Sequence, residues 1–303
     1  MKIIATIAIV VFSFHSICCE VCGCSSTAGS IGIIGSSNYH FVGLSFEGRS
    51  FNSIHPDIFG HGSVESSTEF FMQGSLLAKF QVTKRFQLYT NIPVVYNRQQ
   101  RSGETSITQG LGDITINTRF LAFTRADTLR KRALNLQLGA GAKAPTGNFS
   151  RNTHETTNMF PGTGSWDFPF NLNLFFQSKK WNIQFENVFN LTTQNSAGYK
   201  FGNAFQSVVY SGYNIKVGKG TISTGMGVQF DYLFHSEIDG SSKNTFNGGY
   251  LLSLLPGINF EFNRIFATIR YFQPLTQHLS KGFTKNNGQM SVSFYYTFKS
   301  KKS

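Results

Sequence analysis

The sequence predicts an all-β chain, a closed antiparallel up-and-down transmembrane β-barrel of about 12 strands with short turns at one end and long loops at the other. Three observations predict it. Stretches of alternating apolar and polar residues recur from Tyr39 to Lys299, and strict alternation assigns one face of an extended strand to each class. The connections between them run short, then long, then short again. Aromatics make up 15% of the chain, with 32 Phe and 11 Tyr, whereas charged residues make up only 14%, against about 25% in soluble domains.

The spans read by period two are 39–51, 68–82, 85–97, 112–124, 133–145, 166–178, 181–192, 200–217, 220–235, 248–262, 264–274 and 288–299. The span 133–145 shows the pattern: Leu134, Leu136, Leu138, Ala140, Ala142 and Ala144 fall on one face, with Asn135, Gln137, Gly139, Gly141 and Lys143 on the other. Likewise Phe168, Phe170, Leu172, Leu174 and Phe176 oppose Asp167, Asn171, Asn173 and Gln177. Spans of roughly ten to thirteen residues suffice for tilted membrane strands. The tight connections fall near Thr83 and Lys84, 178–180, 218–220, and Asn263 with Arg264, and 125–132 is somewhat longer. The connections 52–67, 98–111, 146–165, 193–199, 236–247 and 275–287 are mostly longer and polar. Hydrocarbon supplies no hydrogen-bond partners, so each strand needs two neighbours and the sheet must close. An even strand count puts both termini on the short-turn side, the periplasmic side in bacterial outer-membrane barrels.

Residues 1–18 read as a secretory signal, with Lys2 before the apolar run from Ile3 to Phe14 and cleavage before Cys19. Residues 19–38 form a Cys-rich periplasmic segment, 39–299 the barrel, and 300–303 a basic tail. The net charge of +12 is concentrated at the short turns and the tail: Lys84, Arg85, Arg130, Lys131, Arg132, Lys179, Lys180, Lys216, Lys219, Arg264, Lys299, Lys301 and Lys302. That placement makes a rim able to meet anionic lipid headgroups, or simply solvated turns, and argues against a nucleic-acid partner.

By parity the lumen receives Glu47, Arg49, Glu69, Lys79, Asp113, Arg119, Lys143, Asp167, Glu186, Asp231, Glu261 and Arg270. In a filled barrel these charges pair with one another as structure. In a wet barrel they line the pore and select solutes.

Gly110-Leu111-Gly112-Asp113 opens one strand, and Lys143-Ala144-Pro145-Thr146-Gly147 closes another. Proline and glycine there end the ladder. These two segments resemble signatures of the meta-pathway phenol-degradation family of outer-membrane barrels, and the resemblance implies passage of small, often hydrophobic or aromatic compounds across the outer membrane.

All four cysteines lie between Cys18 and Cys24. After cleavage, Cys19, Cys22 and Cys24 beside a free α-amine can hold Cu(I) or Zn(II), form one disulfide with one thiol left over, or carry lipid. The Cys-x-x-Cys-Gly-Cys segment also resembles a subset of such barrels. His55, Asp57, His61 and Glu65 are ligand types in the first long loop, where polar residues are expected in any case.

The sequence therefore points to a non-enzymatic channel or passive transporter for small solutes in a bacterial outer membrane. The alternatives are a non-conducting structural or metal-handling barrel, with a periplasmic partner at the cysteines, and a lipid-modifying enzyme using His154, His235 or His278 with Ser150, Ser236 or Ser280. The metal reading predicts stoichiometric copper or zinc on the mature protein, lost in the Cys22→Ser, Cys24→Ser double variant. Unchanged metal content by atomic emission in that variant ends it.

Overall fold

The computed structural model describes residues 39–55, 65–127, 129–149, 159–238, 240 and 247–299. Residues 1–38, with the signal peptide and Cys19, Cys22 and Cys24, lie outside them, as do Asp57, His61, Ser150, His154 and the tail 300–303.

Among the described residues, fifteen extended segments occur in chain order. They are β1 (His40–His55), β2 (Glu65–Gln81), β3 (Phe86–Arg101), β4 (Glu104–Leu111), β5 (Thr115–Asp127), β6 (Arg132–Lys143), β7 (Asp167–Gln177) and β8 (Trp181–Thr192), then β9 (Tyr199–Lys200), β10 (Ala204–Val217), β11 (Gly220–Leu233), β12 (Glu237–Ile238), β13 (Gly249–Phe262), β14 (Ile265–Leu279) and β15 (Thr284–Phe298). The two-residue strands β9 and β12 pair with each other in the loops. The other thirteen form one antiparallel sheet in which β1 pairs with both β2 and β15, and β2 pairs with β3. Each joins its sequence neighbour and the ends meet, so the sheet is a closed cylinder. Because β4 and β5 pair with successive stretches of β3, they are two halves of one interrupted stave, and the barrel has 12 staves.

The seam between first and last strands runs from the pair His40 and Phe298 to Ser53 and Thr284. Along it the His40 ring stacks on Phe298 at 5.3 Å, and Ser45 bonds Ser293 across 2.8 Å.

Alternation is realised as two opposite surfaces. Outward lie Leu44, Phe46, Leu138, Phe170, Leu172, Phe294 and Tyr296, all exposed. Inward and buried lie Gln87, Gln137, Asn171, Asn173, Gln184, Ser291 and Ser293. The buried set is thus largely polar and the exposed set apolar, the inverse of a soluble protein, because the outer solvent is hydrocarbon. Aromatic girdles mark both interfaces. Trp181 packs edge-on against Tyr213 near the short turns at 5.0 Å, and the half-exposed Trp166 stands at the opposite end.

Short turns close one end. Asn263 takes φ +54° in the link from β13 to β14, and Gly218 takes +59° between β10 and β11. Both are left-handed conformations that asparagine and glycine tolerate. At 178–181 the Ser178 hydroxyl accepts the Trp181 N–H at 2.9 Å.

The strands run further than the sequence predicts at the other end. The expected loop 98–111 is mostly a hairpin, with β3 reaching Arg101 and β4 returning from Glu104 through Ser102 and Gly103. The expected loop 275–287 is likewise mostly strand, turning in a 3-10 turn at Ser280–Gly282. His55 and Glu65, expected in a loop, end β1 and begin β2. At 17 residues, β2 extends about 56 Å, well beyond a hydrocarbon band about 25 Å tall even when tilted. Above that band apolar alternation stops, although backbone pairing continues, so the periodicity that locates membrane strands cannot locate their extensions.

A lipid-facing charge tests this arrangement. Leu172→Arg on β7 should destabilise the barrel by about 2–4 kcal/mol, and the lumen-side Ser293→Ala by about 1 kcal/mol, in urea unfolding from phospholipid bilayers. Equal small effects would remove the assignment of the two faces.

Candidate functional site: the barrel lumen

The lumen is divided along its axis. Nearest the long-loop end, Phe51 of β1, Phe71 of β2 and Leu279 of β14 converge on Met159, which is fully buried, with Leu233 and Leu251 packed around them. Met159 reaches the lumen because its carbonyl accepts the Asn97 amide at 2.8 Å and the Thr108 hydroxyl. Beside this apolar cluster, Glu69 accepts from Ser53 at 3.0 Å, from Gln99 at 3.3 Å and from Ser67. Ser67 also bonds His55 Nε2 at 2.7 Å. Glu47 and Arg49 pair with each other, and Asp231 is held by Gln206 at 2.8 Å and Gln229 at 2.7 Å.

The two signature segments meet at the break between β4 and β5. Asp113 accepts the N–H groups of Gly147 and Thr163 at 2.9 and 2.8 Å, and the Thr163 hydroxyl at 2.7 Å. Lys143 lies 3.5 Å from Asp113, pairs with Asp167, and donates to Thr163 at 3.1 Å. Thr146 Oγ1 accepts the Ile114 N–H at 2.9 Å. Gly147 and Gly162 touch backbone to backbone: a Cβ on Gly147 would sit 2.7 Å from the Gly162 Cα, closer than any side chain allows. Pro145, Thr146 and Gly147 follow the end of β6. They also clamp the segment 159–165 against the inner wall.

Below that clamp is a cavity of about 180 Å3 whose lining includes Pro93, Val95, Asn117, Arg119, Phe160 and Asn171. Its floor is a belt of aromatic rings and cations. The Arg119 guanidinium lies 4.3 Å from the Tyr89 ring centre, and Arg270 lies 5.0 Å from that of Tyr210. Lys79 stands about 6 Å from the rings of Phe41 and Tyr89, at 5.9 and 6.0 Å. Cation–ring attraction strengthens where water is displaced, and Lys79, Arg119 and Arg270 are almost wholly buried. Glu186, also buried, lies within electrostatic reach of both arginines. Beyond the belt a second cavity, of about 480 Å3, opens at the short-turn end among Lys131, Lys179, Asn182, Lys216, Asn259 and Glu261.

The parity-assigned residues therefore fall into separate groups. Asp113, Lys143 and Asp167 are brought together as the clamp. Lys79, Arg119, Glu186 and Arg270 form the belt. Glu47, Arg49, Glu69 and Asp231 stand nearer the long-loop end. Glu261 differs from its expected burial, being exposed at the rim of the short-turn cavity because β13 ends one residue later. The inward aromatics Phe41, Tyr89, Tyr210 and Tyr295 are additional. Their parity with polar neighbours, as with Tyr89 between Gln87 and Asn91, carried the signal. Of the loop groups considered for lipid chemistry, His235 and His278 are exposed. Ser236 is buried and accepts the Gly202 N–H at 3.0 Å, and Ser280 is buried in the 3-10 turn.

The barrel resembles solved structures. The COG4313 outer membrane channel from Pseudomonas putida F1 aligns with a TM-score of 0.62 at 16% identity, covering 86% of this chain and 96% of that one. The translocator domain of autotransporter NalP from Neisseria meningitidis gives 0.44 at 10% identity, covering 89% and 92%. A Pseudomonas aeruginosa FadL homologue gives 0.39 at 9% identity, covering 86% and 90%. No curated protein matches the chain. The family model described as "Putative MetA-pathway of phenol degradation" matches residues 60–298, and the chain belongs to that family.

Proposed function

We propose that the protein is an outer-membrane channel for small solutes, hydrophobic or aromatic compounds among them, with its short turns and both termini in the periplasm. The observation that carries this reading is a polar lumen holding two cavities in series, separated by the cationic belt. A structural barrel needs no such spaces, and small barrels are otherwise filled by side chains. The family description names phenol degradation, and the Pseudomonas putida barrel that aligns with a TM-score of 0.62 is an outer membrane channel. The basic short-turn rim suits the anionic phospholipid of a periplasmic leaflet.

In this reading the clamp holds the channel in a low-conductance state. Asp113 fixes segment 159–165, and Met159 then fills the long-loop end. The packed Met159 cluster also favours a second reading, a scaffold that conducts nothing. Planar bilayers separate the two. The channel reading expects resolvable ion current that rises several-fold in Asp113→Ala, as the segment leaves the lumen. Silence from both proteins, with folding intact, leaves the scaffold.

Orientation is tested by cysteine labelling in whole cells, in a background with the native cysteines replaced by serine. Ser102→Cys, at the tip of the β3–β4 hairpin, should react with an impermeant maleimide, and Lys219→Cys should react only after permeabilisation. The reverse pattern inverts the topology.

A further inference from the structure

The lumen face of β6 is bare between Gln137 and Lys143. Gly139 and Gly141 occupy it, and neither position admits a side chain: a Cβ on Gly139 would lie 2.9 Å from the Thr118 carbonyl oxygen, and one on Gly141 would lie 2.5 Å from that of Ile116. The place of each missing side chain is taken by β5, with the Arg119 Cγ and Asn117 Oδ1 each 3.1 Å from where a Gly139 Cβ would sit. Asn117 and Arg119 are paired in register with Gly141 and Gly139, and β7 supplies Asn171, also opposite Gly139. All three polar residues line the cavity above the belt.

All three hold hydrogen-bonding capacity in reserve, the Asn117 Oδ1 among the unbonded atoms. Asn171 is 5% exposed, and neither its amide nitrogen nor its amide oxygen is hydrogen-bonded among the described residues. Arg119 is 3% exposed, and its Nε is likewise unbonded. Buried polar groups left in this state are costly unless something pairs with them. Flanking Gly139 in register and lining one cavity, the Asn171 amide and the Arg119 guanidinium together offer the N–H donors that suit a carboxylate.

The charge at the floor is predominantly positive. Lys79, Arg119 and Arg270 stand against the single carboxylate of Glu186. The acids above do not cancel it, because Asp113 is engaged by two backbone N–H groups, Thr163 and Lys143, and Asp167 by Lys143 and Ser165. Glu47, also in the lining, is paired with Arg49. Among otherwise mixed polar lining, Pro93, Val95, Phe160 and Pro161 supply apolar, partly flat surface. The cavity volume of about 180 Å3 far exceeds the about 10–15 Å3 that one water needs. It falls below the about 300–1,000 Å3 of drug-sized ligand sites.

We infer that this cavity is a binding station for a small organic anion with a flat apolar body. The carboxylate meets Arg119 and Asn171, and the body lies against Pro93, Val95 and Phe160. Gly139 and Gly141 let Asn117 and Arg119 lie close against β6, and the belt provides the field that draws the anion inward. A cation of the same shape is repelled by that floor, and a neutral analogue gains only the apolar contact. This inference rests on the lumen being the solute path, and it names the solute class.

Benzoate, benzamide and benzamidinium share one shape and differ in charge, so they serve as probes. Calorimetry on the full-length refolded protein in detergent should show benzoate binding at least about tenfold more tightly than either analogue. Arg119→Gln should lose about tenfold or more of benzoate affinity, and Asn171→Leu, which keeps the volume and leaves the belt intact, several-fold. In planar bilayers, benzoate should block ion current at concentrations matching its dissociation constant, and benzamidinium should not. Equal binding of the three probes, or benzoate affinity unchanged in folded Asn171→Leu and Arg119→Gln, overturns the station. Benzoate binding with no current in any variant keeps the station and removes the channel. Current without benzoate binding does the opposite.

Discussion

Everything in this molecule depends on the ladder that joins β1 to β15. In hydrocarbon an unpaired backbone N–H or C=O costs several kcal/mol, so a sheet with two free edges could not remain in the bilayer. Pairing His40 with Phe298, and each following pair down to Ser53 and Thr284, removes both edges together. Once the cylinder is closed, the period-two alternation of every strand has a fixed meaning. One parity faces lipid and the other faces an enclosed space whose contents are set by the side chains sent into it.

Those contents explain how so few charges shape the lumen. At the belt, arginines rest on tyrosine rings instead of being cancelled one by one by carboxylates. A cation held by a ring keeps its full charge, whereas an ion pair removes it. At the clamp the logic reverses. Asp113 and Asp167 are surrounded by donors, so acidic groups in the same barrel become fasteners with little outward field. Burial is similar in the two places, and the partners decide whether a charge acts as structure or as a source of potential.

How far the sequence reveals this depends on which face carries the signal. The membrane strands are legible because Leu134, Leu136 and Leu138, or Phe168 and Phe170, must alternate to meet lipid. The extensions of β3, β4, β14 and β15 are not, because above the bilayer both faces are polar and only backbone pairing persists. Parity assigns Arg119, Lys143 and Glu186 to the lumen face; Arg119 and Glu186 are buried, and Arg119 and Lys143 line the cavity. It does not show that Lys143 fastens a loop while Arg119 rests on a ring, since that depends on residues from other strands. Tyr89, Tyr210 and Tyr295 are obscured for a different reason. In a chain so rich in lipid-facing aromatics, an aromatic pointing inward is noticed only when its parity is followed along the strand. Met159 is legible from no periodicity, because its position follows from the Asp113 anchor and the Asn97 bond to its own carbonyl.

The surroundings of Met159 couple the plug to the seam. Its neighbours Phe51, Phe71 and Leu279 come from strands near the two ends of the chain, so the complete socket requires the first and last strands to be joined. Its other anchors, the Asn97 and Thr108 bonds to its carbonyl, come from β3 and β4. Loosening the junction of β1 with β15 would therefore strip the apolar half of the socket and leave the polar half in place.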